Sequence, residues 1–166
     1  MRTREREREF HDFFVAERHA LQRFATLLTG DPVRAADLAQ EAFVRMYQRW
    51  GSIRRDDPGP YARRIVVNLI RSEHRRAKVR ELKPAGLPAE SPDHSSRVED
   101  WLRISTALKV LSPVRRAAIV LRYYEDLSER QISAVLDRPV NTVKSDLRRG
   151  LAELREVLQP TAGERT

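Results

Sequence analysis

Cysteine is absent from the 166 residues, which removes disulfides, thiolate metal sites and thiol redox switching within the chain. Glycine is scarce, with six residues, and no Gly-rich loop is present that could cradle phosphates. There is no G-x-S-x-G elbow. His11, His19, His74 and His94 are scattered, and none pairs at the H-x-x-x-H spacing a metal would need. Asp56-Asp57 stands alone beside Arg54 and Arg55 and reads as a turn rather than a catalytic dyad. The expectation is a protein that is not an enzyme and carries no cofactor and no metal. No apolar run approaches the length of a membrane span, and the opening MRTREREREF is charged where a signal peptide needs an apolar core. No membrane insertion is expected, and a cytoplasmic location is. Strand-like alternation is missing throughout, so the fold class is expected to be all-α.

What the chain has in quantity is charge. About a third of its residues are charged, 34%, and the formal net charge is +8. Such a surplus draws a protein to polyanions through counterion release, with nucleic acid or an anionic membrane surface as the first suspects.

Residues 1–9 alternate Arg and Glu and bury nothing, so they are either a frayed tail or the solvated first turns of a helix. From Phe10, a stripe of Phe13, Phe14, Leu21, Phe24, Ala25 and Leu28 predicts a helix ended by Gly30. Asp31-Pro32 predicts the next start, with Asp as cap and Pro at the first helical position. Its buried face is expected to hold Ala36, Ala39, Phe43, Met46, Tyr47 and Trp50, and its outward face Asp37, Gln40, Glu41, Arg45 and Gln48. On the residues alone, that outward face is an ordinary wet surface. A turn-rich loop, 51–60, then leads to a helix opened by Pro60 and running to about Arg76, with Tyr61, Ile65, Val66 and Leu69 on its apolar side. Around it crowd Arg63, Arg64, Arg71, Arg75, Arg76 and Lys78, with Asn68 among them and Glu73 the only acid from 60 to 80. Like charges on neighbouring turns repel, a cost that a phosphate backbone would relieve.

Residues 78–97, with Pro84, Gly86, Pro88 and Pro92, read as an extended linker that splits the chain. Beyond it, Val98, Trp101, Leu102, Leu108 and Leu111 predict one helix, and Ser112-Pro113 caps a second with Val114, Ala118, Leu121 and Tyr124 inward. Ser128 with Gln131 forms a capping box for a third helix. Asp137-Arg138-Pro139 breaks it, and a fourth begins near Asn141. In that last helix Val140, Val143, Leu147, Leu151, Leu154 and Leu158 form an apolar stripe, opposite Asn141, Lys144, Ser145, Arg148 and Arg149. A solvated polar face explains those side chains as well as base edges and phosphates do. The short helix and tight turn in front tip the reading towards a helix-turn-helix.

Taken together, DLAQEAFVRMYQRW at 37–50, PYARRIVVNLIRSEHRR at 60–76 and LSPVRRAAIVLRYYEDLSERQISAVLDRPVNTVKSDLRRGLAELR at 111–155 resemble the extracytoplasmic-function (group IV) sigma factors of bacterial RNA polymerase, in a variant like the SigE-like actinobacterial subgroup. The resemblance implies a sigma region 2 domain at 10–77, a linker at 78–97, a region 4 domain at 98–158 and a short tail at 159–166. Asp37, Gln40, Glu41 and Arg45 would then dock on the β′ clamp helices of core RNA polymerase. Arg64, Asn68, Arg71 and Arg75 would face the -10 element, the 51–60 loop would receive a flipped base, and the first helices of region 4 would meet the β flap. Asn141, Thr142, Lys144, Ser145, Arg148 and Arg149 would lie on the helix that reads the -35 element. Promoter DNA and core polymerase are the implied partners, with an anti-sigma factor as a further candidate. Asp137 and Asn141 stand where relatives usually have glycine, so the turn is expected to be built differently, with Asn141 able to cap. Asp146 stands where Arg is common, and a carboxylate on that face would repel phosphate or accept from cytosine N4. The competing reading is a stand-alone, LuxR-like helix-turn-helix regulator, and a third class is an RNA-binding or architectural protein. The DLAQEAF block and the basic helix at 60–76 argue against both.

Overall fold

The computed structural model describes residues 2–53, 57–80 and 96–159. Most of the expected linker, 81–95, lies outside the described residues, as do 54–56 of the 51–60 loop and the tail from 160. The chain divides into two compact units, Met1–Glu90 and Ser91–Thr166. Among the described residues all regular structure is helical.

The first unit packs α1 (Arg2–Thr29), α2 (Pro32–Arg49) and α3 (Pro58–Arg80) against one another. Residues 2–9 are the opening turns of α1. Their alternation brings Arg and Glu together three residues apart, a favourable spacing on a helix, and Arg6 ties them down by donating from Nη2 to the Tyr47 carbonyl at 3.0 Å. Gly30 ends α1 at φ 69°, in the left-handed region where a Cβ is costly, and its amide donates to the Thr26 carbonyl at 2.7 Å. The Asp31 carboxylate then accepts the Val33 and Arg34 amides at 3.0 and 3.2 Å, with Pro32 at the first helical position. The core is built from Leu21, Phe24, Met46 and Val66, all fully buried, with Ala35, Ala42 and Ala62 allowing close approach. Phe10, Phe13 and Phe14 meet Phe43 and Trp50 in edge and tilted contacts, the tightest being Phe14 on Phe43 at 4.9 Å and 76°.

The buried face of α2 differs from the expected one. Ala35, Leu38 and Ala42 are buried and Ala36 is not fully covered, while Tyr47 is exposed beside Phe10 at the edge of the aromatic cluster. Ala39, Phe43, Met46 and Trp50 are buried as expected, and the stripe is widened on one side because packing between α1 and α3 covers more than one row of large side chains. Both ends of the expected linker are helical: 78–80 belong to α3, and 96–97 to α4.

The second unit holds α4 (Ser96–Leu108), α5 (Pro113–Ile119), α6 (Glu129–Leu136) and α7 (Val140–Leu158), with a π turn at Val120–Tyr124 continuing α5. Ser112 caps α5, accepting the Arg115 amide at 3.4 Å. The Arg116 guanidinium closes the C-terminal end of α4, donating to the Leu108 and Leu111 carbonyls at 2.9 and 3.1 Å. Burial among them lowers its pKa from the ordinary guanidinium value. The π turn inserts an extra residue, and it leaves Tyr124, expected inward, on the surface. Asp126 follows at φ 54°. Gly150 lies where α7 crosses α5, and a Cβ there would meet Ile119 Cγ1 at 3.0 Å.

Candidate nucleic-acid interface

The helix-turn-helix of the second unit is built as its sequence suggests at the start and differently at the turn. Ser128 accepts the Gln131 amide at 3.2 Å while Gln131 Oε1 accepts the Ser128 amide at 2.9 Å, so two orphan donors of α6 are satisfied reciprocally. At the other end Asp137 adopts φ 53°, ψ 54°, the left-handed conformation that glycine takes without strain. The Arg138 amide returns to the Ser133 carbonyl at 3.1 Å, closing the helix end. The expectation of a differently built turn is therefore corrected: Asp137 reproduces a glycine turn instead of replacing it. Asn141 does not cap either. Helix α7 starts at Val140 with Pro139 before it and no side-chain cap, and Asn141 is simply exposed within the first turn.

The outward face of α7 presents Asn141, Lys144, Arg148 and Arg149 as exposed side chains, flanked by half-buried Thr142 and Ser145. Ser145 donates to the Asn141 carbonyl at 3.1 Å, which leaves its oxygen lone pairs outward. Lys144 Nζ stands 3.8 Å from Glu129 Oε2 on α6. Opposite, Val143 and Leu147 are buried and Leu151 and Leu154 partly so, while Leu158, expected in the stripe, is exposed beyond the core.

Asp146 is the main departure from expectation. It is 8% exposed and turned away from the polar face, where Oδ2 accepts from Arg138 Nη1 at 2.9 Å. Arg115 Nε lies 4.0 Å from Oδ1, and Arg115 itself pairs with Glu153. Two guanidinium groups flank the carboxylate, so its charge is not buried unpaired. It therefore neither repels phosphate nor reads cytosine, and the cationic face keeps its sign.

In the first unit, Arg64, Asn68, Arg71 and Arg75 recur at helical spacing along α3 and share one face. Arg64, Asn68 and Arg75 are exposed and Arg71 is half-buried, with Arg75 donating to Ser72 Oγ at 3.4 Å. Arg76 and Lys78 extend the basic surface. Arg63 does not belong to it. It is 5% exposed and donates to Glu17 of α1 and to the Gly59 carbonyl, so one arginine of the cluster holds the unit together. Glu73 is matched by Arg34 of α2.

Asp37, Gln40, Glu41 and Arg45 are all exposed on α2. Glu41 and Arg45 pair at 2.8 Å, which leaves Asp37 and Gln40 as the outward polar groups of that face. The same row carries Val33, 69% exposed, and Val44. Sequence reading passed over both, although valines at 33 and 44 on an otherwise polar row were the available signal. A mixed row of this kind suits a protein partner better than a nucleic acid. Among the described residues no cluster of His, Asp and Glu could hold a metal ion, and no helix is long and apolar enough to cross a membrane.

Two helical units, one with a basic stripe and a separate mixed face and the other ending in a helix-turn-helix with a cationic outward face, are of the class of helical DNA-binding proteins. The family model for Sigma-70 region 2 matches residues 13–80, and that for Sigma-70, region 4 matches 101–154. The chain is 39% identical over 153 residues to the RNA polymerase sigma-E factor of Streptomyces avermitilis, covering 91% of this chain and 86% of that protein. It is 35% identical over 147 residues to the ECF RNA polymerase sigma factor SigL of Mycobacterium tuberculosis, covering 84% and 82%. The sigma factor RpoE of Bartonella quintana, solved with the anti-sigma factor NepR, shares the fold with a TM-score of 0.75 at 23% identity, over 90% of this chain and 96% of that one. The chain belongs to the extracytoplasmic-function sigma factors of the sigma-70 family.

Proposed function

We propose that this chain binds core RNA polymerase and directs it to promoters by reading the -10 element with the first unit and the -35 element with the second. The assignment is residue by residue. Asp37 and Gln40, with Glu41 and Arg45 beside them, form the contact to the β′ clamp helices, and exposed Val33 and Val44 add apolar area to it. Arg64, Asn68, Arg71 and Arg75 track the -10 strand. The loop between α2 and α3, which ends where α3 begins at Pro58 instead of the expected Pro60, takes up a base flipped from the stack. Unstacking costs roughly a few kcal/mol, which a pocket and a basic track for the single strand offset, so promoter melting follows from binding. Asn141, Thr142, Lys144, Ser145, Arg148 and Arg149 enter the major groove at -35, where amide, hydroxyl and guanidinium groups meet base edges and phosphates.

Residues 10–77 then serve as region 2, 78–97 as the connection and 98–158 as region 4, with the helices before α6 against the β flap. The protein works as an initiation factor without catalysis of its own, and acts in the cytoplasm. RpoE of Bartonella quintana is solved with the anti-sigma factor NepR, and CnrH with the cytosolic domain of CnrY, which supports an anti-sigma partner for this chain too.

The observation that carries the reading is the pairing of two matched regions in one chain, each presenting its polar face outward. A stand-alone helix-turn-helix regulator leaves the region 2 match and the α3 stripe without a purpose. Purified chain added to core polymerase is expected to start transcription at defined promoters, read by sequencing the transcripts. Failure to bind core polymerase refutes the proposal.

A further inference from the structure

Arg138 occupies the turn between α6 and α7, and it is tied down at several points. Its amide donates to the Ser133 carbonyl at 3.1 Å, and its own carbonyl accepts from the Ser133 hydroxyl. Its guanidinium donates from Nη1 to Asp146 Oδ2 at 2.9 Å. Asp146 is 8% exposed, with Arg115 Nε 4.0 Å away and Glu153 beyond it on Arg115. Two arginines and two carboxylates thus form a cluster of no net formal charge, and stability is a weak account of it. Ion pairs at such depth offset much of their own attraction by desolvation.

What the cluster does is hold a guanidinium still. An arginine ordered by its ligand surrenders rotamer entropy, and one already held surrenders far less. The Arg138 side chain is nevertheless 35% exposed, and a guanidinium has further N–H donors besides the one aimed at Asp146. It precedes Val140, the first residue of α7, by one proline. In a helix-turn-helix the first helix crosses the DNA backbone and the first turn of the second reaches base edges, so a side chain in the turn between them lies nearest the sugar and phosphate strand.

We propose that Arg138 is a DNA-backbone contact of the second unit and that Asp146 is the positioning residue that aims it. The proposal rests on the assignment of α7 as the -35 reading helix. It identifies the ligand as phosphate, read without regard to sequence.

The test uses holoenzyme assembled from the full chain and core polymerase, titrated with salt on a promoter fragment from which it initiates and on fragments altered at -35. Arg138→Gln is expected to reduce the slope of log K against log salt by about 1, with the ranking of the -35 fragments unchanged. Asp146→Asn is expected to weaken binding at fixed salt by less than Arg138→Gln does. The double variant should be no weaker than Arg138→Gln alone, because Asp146 then has nothing to aim. An unchanged slope for Arg138→Gln, even with a lower unfolding temperature, reduces the cluster to a structural clamp and overturns the proposal. Additive losses in the double variant overturn the positioning role. Should Arg138→Gln fail to fold, Arg138→Lys decides: weaker binding at an unchanged slope supports a positioned guanidinium, and wild-type affinity refutes it. Arg149→Ala separates the levels. If it scrambles the -35 ranking while Arg138→Gln changes nothing, only this inference fails; if neither alters promoter binding, the helix assignment fails.

Discussion

Asp137 offers a direct measure of how much the turn before the recognition helix strains the chain. With φ 53° and ψ 54°, it sits in the left-handed region. A side chain there costs roughly 1–2 kcal/mol unless it is glycine, and aspartate recovers part of this through local hydrogen bonding. Glycine removes the strain but loses about 0.5–1 kcal/mol through the greater freedom of the unfolded chain. Asp137→Gly is therefore expected to leave stability within about 1 kcal/mol of wild type, on the stabilising side, and Asp137→Ala to fall about 1 kcal/mol below the glycine variant. In a unit of this size 1 kcal/mol corresponds to about 4–8 °C in the unfolding midpoint. Hydrogen exchange at the Arg138 amide, which closes on the Ser133 carbonyl at 3.1 Å, isolates the effect from the first unit. Protection is expected to fall about fivefold from glycine to alanine, the equivalent of about 1 kcal/mol. Alanine protected as well as glycine would show that the turn is not strained and that the reasoning is wrong.

Three further outcomes are expected. Arg149→Ala weakens selection at the -35 element by roughly 1–3 kcal/mol if the guanidinium contacts a base, measured as promoter discrimination by holoenzyme; unchanged discrimination removes Arg149 from the reading face. Asp37→Ala and Gln40→Ala reduce binding to core polymerase while circular dichroism stays that of wild type, and normal holoenzyme assembly by both refutes the docking assignment. Arg63→Met lowers the stability of the first unit by roughly 1–3 kcal/mol in urea unfolding, because Glu17 and the Gly59 carbonyl lose their donor. An unchanged midpoint would show that these buried contacts of Arg63 do not hold the unit together.

Local chemistry made much of the fold legible. Asp31-Pro32, Ser112-Pro113 and the Ser128/Gln131 box each act within a few residues, and the structure uses each of them as a cap. The polar face of α7 and the α3 stripe follow from helical spacing, and both are outward. What sequence could not disclose depends on residues distant along the chain. Arg63 reads as one more cation until Glu17, 46 residues earlier, is placed against it. Asp146 lies at the border of the polar arc, and only the fold brings Arg115 of α5 and Arg138 of the turn to it. The π turn at Val120–Tyr124 breaks a count of 3.6 residues per turn, which is why Tyr124 was expected inside and lies outside. Asp137 and Asp126 share a left-handed backbone that residue type suggests only weakly, since aspartate takes it less readily than glycine.

The carboxylate of Glu129, 3.8 Å from Lys144, has a consequence for timing. One cation of the outward face of α7 already has an anion beside it, so on the proposed -35 assignment phosphate would compete with that carboxylate instead of meeting a vacant charge. A stretch of duplex offering only backbone would gain little from that exchange. On the proposed -35 assignment, a site that also satisfies Asn141, Arg148 and Arg149 would gain from base edges as well. The pair would then shorten stays on the wrong sequence more than on the right one.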